Sequence, residues 1–365
     1  MKSIWTYGDL LPAIPEAYRV MLGEGHTPLV KSRSIGPALG LPSLYFKLEN
    51  LNPTGSYKDR FAAVFISLLN SMQQRLCVAT SSGNTGAALA AYSAAAGITC
   101  ALAIVDGAPL PKVRQMQLYG AIAYMVKDFG IDPQVTSGLF EMLERLAAEK
   151  GIPLPVSAYR YCEAGMQGVQ TIAYELLEEM QQPPAHIFSP AGGGGLTLAV
   201  ALGVMAYGNK YQLPHLPAVN CVQPEGNNTI AGALRNQELK ATAIRSATTA
   251  ISGLQVPGIL DGNEVITACR QLNGNGYVVT DAAVFSWQQQ LASREGIFCE
   301  PAGAVALAGV EAALKEKKIT ATDTVVCLVT GSGFKDMAAV EKHFGLPQLQ
   351  QLDGIKALKE ILIQF

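Results

Sequence analysis

Three segments of this 365-residue chain follow one plan: a short apolar run, a turn rich in Gly, Ser or Thr, and then a helix-length stretch. The apolar runs span residues 76–80, 186–189 and 324–329. Alternation of short apolar runs with helices predicts an α/β fold whose sheets are largely parallel. Ligands of such sheets bind at the carboxyl ends of the strands, so the three turns mark the expected site. Further strands are expected over residues 99–105, 121–125, 218–222 and 276–279.

The composition separates the chain from several classes of protein. Hydrophobic residues make up 49% and charged residues 15%, against roughly 25% charged in an average globular chain. The chain is therefore expected to fold and to cover part of its surface in a homo-oligomer, with a homodimer as the default. The net charge is −2, and without a basic footprint nucleic acid is not an expected partner. Since 365 residues exceed one compact core, two closely packed lobes are expected.

Other features bear on compartment and metals. Residues 1–5 lack the apolar stretch of a signal peptide. The uncharged stretch 86–105 is better explained by a buried helix that runs into a buried strand than by a membrane span, because it lacks flanking anchors. Seven cysteines without a CxxC pair indicate neither a disulfide framework nor a zinc ribbon, and four scattered histidines form no metal motif. We therefore expect a cytoplasmic protein with no metal and no membrane partner.

The stretch 52–61 contains a lysine in an unusual position. Asn-Pro and Thr-Gly pairs predict a loop, and Ser56 followed by Asp59 matches the start of a helix. Lys58 then lies in the first helical turn, where the helix dipole opposes an ammonium by about 0.3–1 kcal/mol. An amine that must be neutral to attack an aldehyde gains from this placement. A solvated lysine is the alternative.

The three turns that follow apolar runs offer groups that can bind anions. In the turn 81–86, hydroxyl groups lie beside the free amides of a helix N-terminus, which suits a carboxylate. Four consecutive glycines at 192–195 let backbone N–H groups close on a phosphate. At the third turn a strand ends with the hydroxyl of Thr330, before Gly331 and Gly333. An ordinary capped turn, a flexible loop and a plain strand–helix turn are the respective alternatives.

Together these stretches, in this order, resemble the fold type II family of pyridoxal 5′-phosphate (PLP) enzymes, and within it the threonine synthases most closely. The resemblance runs through residues 23–29, 47–50, 53–60, 81–86, 300–304 and 330–336. It implies two open, twisted, mostly parallel α/β domains with the cofactor between them. A large PLP-binding domain would comprise residues 1–52 and 157–365. A small substrate-binding domain of residues 53–156 would carry Lys58 and Asn84.

The resemblance also implies a role for each site residue. Lys58 would form the Schiff base with PLP and then serve as the proton-transfer base. Asn84 would hydrogen-bond the 3′-oxygen of the cofactor, and Thr330 would face its pyridine nitrogen. The 5′-phosphate would be held by Gly192, Gly193, Gly194, Gly195 and the amide of Leu196. The substrate carboxylate would be received by Ser81, Ser82 and Thr85.

The implied reaction is that of a carbon–oxygen lyase. It converts O-phosphohomoserine and water to threonine and phosphate through β,γ-elimination and replacement, and it needs a second anion site for the phosphate of the substrate. Ser157 and Arg160 lie in the right region of the chain for that site. An arginine there would suit bidentate phosphate binding.

Departures from the threonine synthase pattern leave other functions open. Arg160 lies several residues early relative to Gly168, and the loop 190–196 is more similar to that of a threonine or serine dehydratase. The enzyme alternative is therefore a dehydratase, or a β-replacing synthase that uses serine or O-phosphoserine. A nicotinamide-cofactor protein is more distant, because the loop lacks the full G-x-G-x-x-G spacing and Glu225 lies too far beyond it. A non-catalytic binding protein with this fold is the last alternative.

Overall fold

The computed structural model describes residues 3–81, 83–106, 108, 110–345 and 349–363. Strands within these residues are β1 Leu29–Lys31, β2 Leu44–Lys47, β3 Leu76–Thr80, β4 Thr99–Ile104, β5 Ile122–Met125, β6 His186–Pro190, β7 Ala218–Pro224, β8 Gly276–Val279 and β9 Val325–Leu328. The first helices are α1 Ile35–Ala38, α2 Lys58–Ser71, α3 Asn84–Ala96, α4 Leu110–Leu118, α5 Pro133–Glu149, α6 Tyr159–Glu179 and α7 Gly195–Tyr211. The later helices are α8 Ala231–Arg235, α9 Gly262–Gln271, α10 Asp281–Glu295, α11 Pro301–Lys315, α12 Met337–His343 and α13 Ile355–Leu362. Single 3₁₀ turns include Glu49–Leu51 and Gly333–Asp336.

The strands form two sheets. A six-stranded sheet has the order β1-β2-β9-β6-β7-β8, in which only the β1–β2 pair is antiparallel. A parallel three-stranded sheet has the order β3-β4-β5. The seven strands that the sequence predicts are present, with ends that differ by at most two residues, and the prediction of an α/β fold with mostly parallel sheets is confirmed. The sequence did not predict β1 and β2, which are three and four residues long.

The six-stranded sheet is covered on both faces, as parallel sheets generally are. Successive residues of β9 show this directly. Val325 and Cys327 pack into the core formed with α10 and α11, while Val326 and Leu328 pack into the core formed with α2, α6 and α7. That second core also takes residues from β3 and β4, so both sheets are joined through one apolar interior.

The uncharged stretch at residues 86–105 has the structure that its sequence predicts. Its first part lies in α3, which is buried along most of its length, and the chain then enters β4, in which every second residue is buried. Within the described part of the chain, no helix has the length and apolar character needed to cross a membrane.

Candidate active site

The turns after β3, β6 and β9 meet around one cavity of about 430 Å³, as expected for the carboxyl ends of parallel strands. The start of α2, the segment before α6 and the segment before α9 complete its wall. The predicted site residues that line it are Lys58, Ser81, Asn84, Thr85, Ser157, Gly192, Gly193, Gly194, Gly195, Leu196 and Thr330. Ser82 lies outside the described residues.

Lys58 is the first residue of α2, and its side chain turns into the cavity. Its Nζ donates a hydrogen bond to Ser157 Oγ at 2.6 Å and lies 4.4 Å from the centre of the Tyr57 ring. Burial lowers the pKa of Lys58 to about 7, although the charges of Glu300 and Asp261 act in the opposite direction. A large fraction of the amine is therefore uncharged near neutral pH, which favours both nucleophilic attack and proton abstraction.

The helix start at Lys58 differs in one detail from the sequence prediction. Ser56 does not cap α2, because its backbone pairs with Gly331 instead. The carboxylate of Asp59 accepts hydrogen bonds from the N–H and Oγ1 of Thr54, at 2.8 and 2.6 Å. Tyr57 N–H also donates to the carbonyl of Thr330. The helix start and the place of Lys58 in its first turn are as the sequence predicts, although Ser56 does not cap the helix, and the same backbone pairing brings Lys58 next to Thr330.

The glycine loop 192–195 joins β6 to α7, and its backbone forms part of the cavity wall. Gly194 has φ +100°, a conformation that L side chains rarely adopt. A Cβ atom on Gly193 would lie 2.8 Å from Leu260 Cδ1, and one on Gly194 would lie 2.9 Å from Val265 Cγ2. Because α7 begins at Gly195, the N–H groups of its first turn have no partner within the helix. The loop therefore offers bare backbone amides and has little space for side chains.

The turn after β3 supplies polar groups from a helix N-terminus. Ser81 Oγ accepts hydrogen bonds from the N–H groups of Gly83 and Gly86, at 3.3 and 2.9 Å, so it shapes the turn and can still donate its own proton. Thr85 Oγ1 lies 3.1 Å from Ser157 Oγ. A chain of polar groups thus runs from Thr85 through Ser157 to Lys58 Nζ.

Thr330 lies two residues beyond the end of β9 and is 4% exposed. Its Oγ1 is buried and has no hydrogen-bond partner among the described residues. A buried hydroxyl without a partner is costly in a folded protein, by about 1–3 kcal/mol. A polar group of a ligand in the cavity would supply the missing partner.

The two residues expected at a second anion site are separated by the structure. Ser157 lines the cavity, but the Arg160 side chain is exposed and does not. Its guanidinium lies 5.7 Å from the centre of the Tyr161 ring, and the backbone N–H of Arg160 donates to Asp261 Oδ1 at 3.1 Å. Since the Asp261 carboxylate holds the first turn of α6 in this orientation, the structure does not bring Arg160 into the site.

Glu300 is a cavity residue that sequence reasoning did not assign to the site. The Glu-Pro pair at 300–301 predicts a helix start, and α11 does begin at Pro301. The Glu300 side chain does not cap that helix; it lines the cavity and accepts a hydrogen bond from Asn84 Nδ2 at 2.8 Å. Burial raises the pKa of Glu300, and the ammonium groups of Lys112 and Lys335 oppose that rise. The sequence held one signal that could have indicated this site residue, namely a carboxylate directly after an apolar segment.

Comparison with known proteins agrees with this geometry. Residues 20–331 match the family model described as "Pyridoxal-phosphate dependent enzyme". The chain is similar to a threonine synthase of Methanocaldococcus jannaschii, with 31% identity over 99% of this chain and 87% of that protein. It is similar to a threonine synthase of Synechocystis, with 33% identity over 94% and 85% of the two chains.

Among solved structures, the processed form of threonine deaminase isoform 2 from Solanum lycopersicum has the same fold. The TM-score is 0.73, with 20% identity over 94% of this chain and 89% of that one. The family model spans most of the chain, and the likeness to the threonine synthases extends over nearly all of it. The chain belongs to the family of pyridoxal-phosphate dependent enzymes.

Proposed function

We propose that this enzyme is a threonine synthase, a carbon–oxygen lyase that converts O-phosphohomoserine and water to threonine and phosphate. The observation that carries the proposal is the meeting of Lys58, the glycine loop and Thr330 around one cavity. This meeting occurs in a chain that is about 30% identical to threonine synthases over nearly its whole length.

The cavity has groups that fit each polar part of PLP. The amides of Gly192, Gly193, Gly194, Gly195 and Leu196 would hold the phosphate, since the loop has no side chains to shield its backbone and is followed by a helix N-terminus. Thr330 Oγ1, which otherwise has no partner, would face the pyridine nitrogen. Asn84 would donate to the 3′-oxygen, and Lys58 would be the point of covalent attachment.

Bound PLP supplies an electron sink for the carbon atoms next to the amino group of the substrate. The protein supplies orientation and proton transfer. With its pKa lowered to about 7 by burial, Lys58 Nζ can act as a neutral amine that takes a proton from Cα and then one from Cβ as phosphate leaves Cγ. Protons would return at Cγ and Cα, and water would add at Cβ. Ser157 Oγ, 2.6 Å away, would hold the amine toward the cavity between these transfers.

The substrate carboxylate would bind at the N-terminus of α3. Ser81, Ser82 and Thr85 would offer hydroxyl groups there, and the free amides of the first helical turn would add to the attraction for an anion. A neutral hydroxyl at Thr330 would not stabilise a positively charged ring nitrogen as a carboxylate would. That difference favours elimination and replacement over long-lived carbanions.

Assay of two substrates tests the proposed reaction. Holoenzyme given O-phosphohomoserine should release phosphate and threonine in equal amounts, and threonine alone should yield no 2-oxo acid. Lys58→Ala, checked for a native circular dichroism spectrum, serves as the control and should release no phosphate. Production of a 2-oxo acid from threonine, with no phosphate released from O-phosphohomoserine, would refute the threonine synthase assignment.

One observation favours a second candidate, a threonine or serine dehydratase. Among the described residues that line the cavity, Lys58 has the only positively charged side chain, because Arg160 faces away. A phosphorylated substrate would then rely on hydroxyl and amide donors for its second anion. An unphosphorylated hydroxy amino acid needs no such site, and the same pair of assays decides between the two reactions.

The domain division, compartment and oligomeric state are also part of the proposal. We propose domains of residues 53–156 and of residues 1–52 with 157–365; β3, β4 and β5 lie in the first range and the other strands in the second. All seven cysteines are free and buried, which supports a cytoplasmic location.

The edge strand β5 exposes Ile122, Tyr124 and Met125, which supports a homodimer that covers apolar surface. Light scattering that gives the mass of one chain would refute the homodimer.

A further inference from the structure

Glu300 lines the cavity beside Asn84 and Thr330, two residues that the proposed function assigns to the cofactor. It is 4% exposed, and its N–H donates to the carbonyl of Gly331 at 2.9 Å, directly beside Thr330. A side chain on Gly331 would collide with Glu300 Oε1. The backbone of Glu300 is thus fixed to Gly331, and its carboxyl group packs closely against the same glycine.

The partner of this carboxyl group is the side-chain amide of Asn84. Asn84 Nδ2 donates to Glu300 Oε1 at 2.8 Å. An asparagine amide has a donor end and an acceptor end, and its hydrogen bonds decide which way it points. The reversed amide would place Asn84 Oδ1 against a carboxylate oxygen, where two acceptors repel each other. One N–H of the amide is used by Glu300, so the second is left to donate into the cavity.

The charged groups around Glu300 do not compete for this contact. The charges of Lys112 in α4 and Lys335 after β9 lower the pKa of Glu300, and the charge of Asp336 raises it. None of these side chains is hydrogen-bonded to Glu300: Lys112 Nζ donates to Ser252 Oγ and Lys335 Nζ donates to Gln115 Oε1. Either an ionised or a protonated carboxyl group keeps an oxygen that can accept from Asn84.

We propose that Glu300 is a positioning residue, which fixes the Asn84 amide so that its NH₂ group faces the 3′-oxygen of the bound cofactor. This inference rests on the proposed placement of PLP and adds a residue to it. Glu300 would act through Asn84, so removal of either side chain should have the same consequence for cofactor binding.

A double-mutant cycle tests the proposal through cofactor affinity and absorbance. The Kd of the apo protein for PLP and the visible absorbance band of the bound cofactor are measured for Glu300→Ala, Asn84→Ala and the double variant. Each single variant should bind PLP roughly two- to tenfold more weakly, as expected for one lost hydrogen bond. The double variant should bind no more weakly than Asn84→Ala alone, because the two residues act as one unit.

Two further variants separate positioning from a general structural role. Glu300→Gln keeps an oxygen that accepts from Asn84, so it should restore the Kd and the absorbance band of the wild type. Glu149→Ala removes an exposed carboxylate at the end of α5 and should change neither quantity. Urea unfolding confirms that the compared variants are folded, and Glu300→Gln keeps the test decisive if Glu300→Ala does not fold.

Three results would overturn the inference. Independent, multiplicative effects of Glu300→Ala and Asn84→Ala would show that Glu300 does not act through Asn84. Failure of Glu300→Gln to restore binding would show that the accepting oxygen is not what matters. An unchanged Kd and spectrum in Asn84→Ala would remove the proposed Asn84 contact itself, which distinguishes failure of the proposed function from failure of the positioning role alone.

Discussion

Arg60, two residues after Lys58, is fully buried and anchors the start of α2. Its guanidinium forms paired hydrogen bonds with Glu49, at 2.8 and 2.7 Å, and with Glu175, at 2.5 and 2.8 Å. Lys47 Nζ lies 2.9 Å from Glu175 Oε2. Burial alone would raise the pKa of Glu175, but the charges of Arg60 and Lys47 lower it to about 2. This buried network fixes the helix that carries Lys58 to β2 and α6.

Replacement of Arg60 should destabilise the whole fold. In Arg60→Met the carboxylates of Glu49 and Glu175 lose a buried partner, which costs about 3–5 kcal/mol. Urea unfolding measures the loss, with Arg235→Met as the control, because the Arg235–Glu316 pair is partly exposed and contributes at most about 1 kcal/mol. Equal losses in the two variants would contradict this account of the network.

The same network predicts how acid acts on the protein. Glu175 has a lowered pKa in the folded state, so its contribution to the free energy of unfolding is complete above its ordinary value of 4.5 and is lost as the pH falls toward about 2. The wild type should therefore lose stability over this range. Glu175→Gln should show a shallower loss in urea unfolding at a series of pH values, and an unchanged slope would contradict the prediction.

At the scale of elements, the sequence predicts those strands that are continuous apolar runs. The seven predicted strands, such as β6 and β8, are confirmed because each is bounded by clear turn signals. β1 is a three-residue, mostly exposed strand, and β2 pairs with β9 about 280 positions further along the chain. Nothing local in the sequence could reveal these pairings, and the order of the strands in the sheet depends on them.

Within the site, the glycine loop also shows that local sequence does not reveal contacts between distant segments. Four glycines in a row predict a close approach of backbone to a ligand, and the structure places them in the cavity wall. The residues that pack against the loop, Leu260 and Val265, come from a segment that the sequence does not connect with it. The loop was therefore predictable from local sequence, but the packing that holds it was not.

A side chain on Gly194 should weaken cofactor binding. Ala at φ +100° would strain the backbone and crowd Val265 Cγ2, at a cost of about 1–3 kcal/mol. Because the strain distorts the amides that would hold the phosphate, Gly194→Ala should raise the Kd for PLP roughly tenfold. Gly296→Ala is the matched control, since Gly296 has φ +70°, has open space around it and lies outside the cavity wall. It should lower stability without changing the Kd, and equal Kd values in the two variants would contradict the prediction.

At the scale of the molecule, the cavity lies where turns from both sheets meet. The sequence could place Lys58, Asn84 and Thr330 at such a meeting point because each lies at a strand end or helix start. It could not predict that Arg160 points outward or that Glu300 points inward, since those orientations depend on contacts with Asp261 and Asn84 far along the chain.

Two contacts made by lysines near Glu300 join α4 to residues that follow β7 and β9. Lys112 Nζ of α4 donates to Ser252 Oγ at 2.7 Å, and Lys335 Nζ donates to Gln115 Oε1 at 3.1 Å. The charges of both lysines act on Glu300, which lines the cavity, so these amines provide an internal comparison for the attachment of PLP at Lys58.

Identification of the lysine that binds PLP tests the central claim most directly. Apo protein is mixed with PLP at several pH values, reduced with borohydride, digested and analysed by peptide mass spectrometry. We predict that the cofactor is attached to Lys58 alone, and that the attachment rate rises as the pH passes about 7, because the neutral amine is the reactive form. Attachment to Lys112 or Lys335 instead, or none at Lys58, would contradict the account.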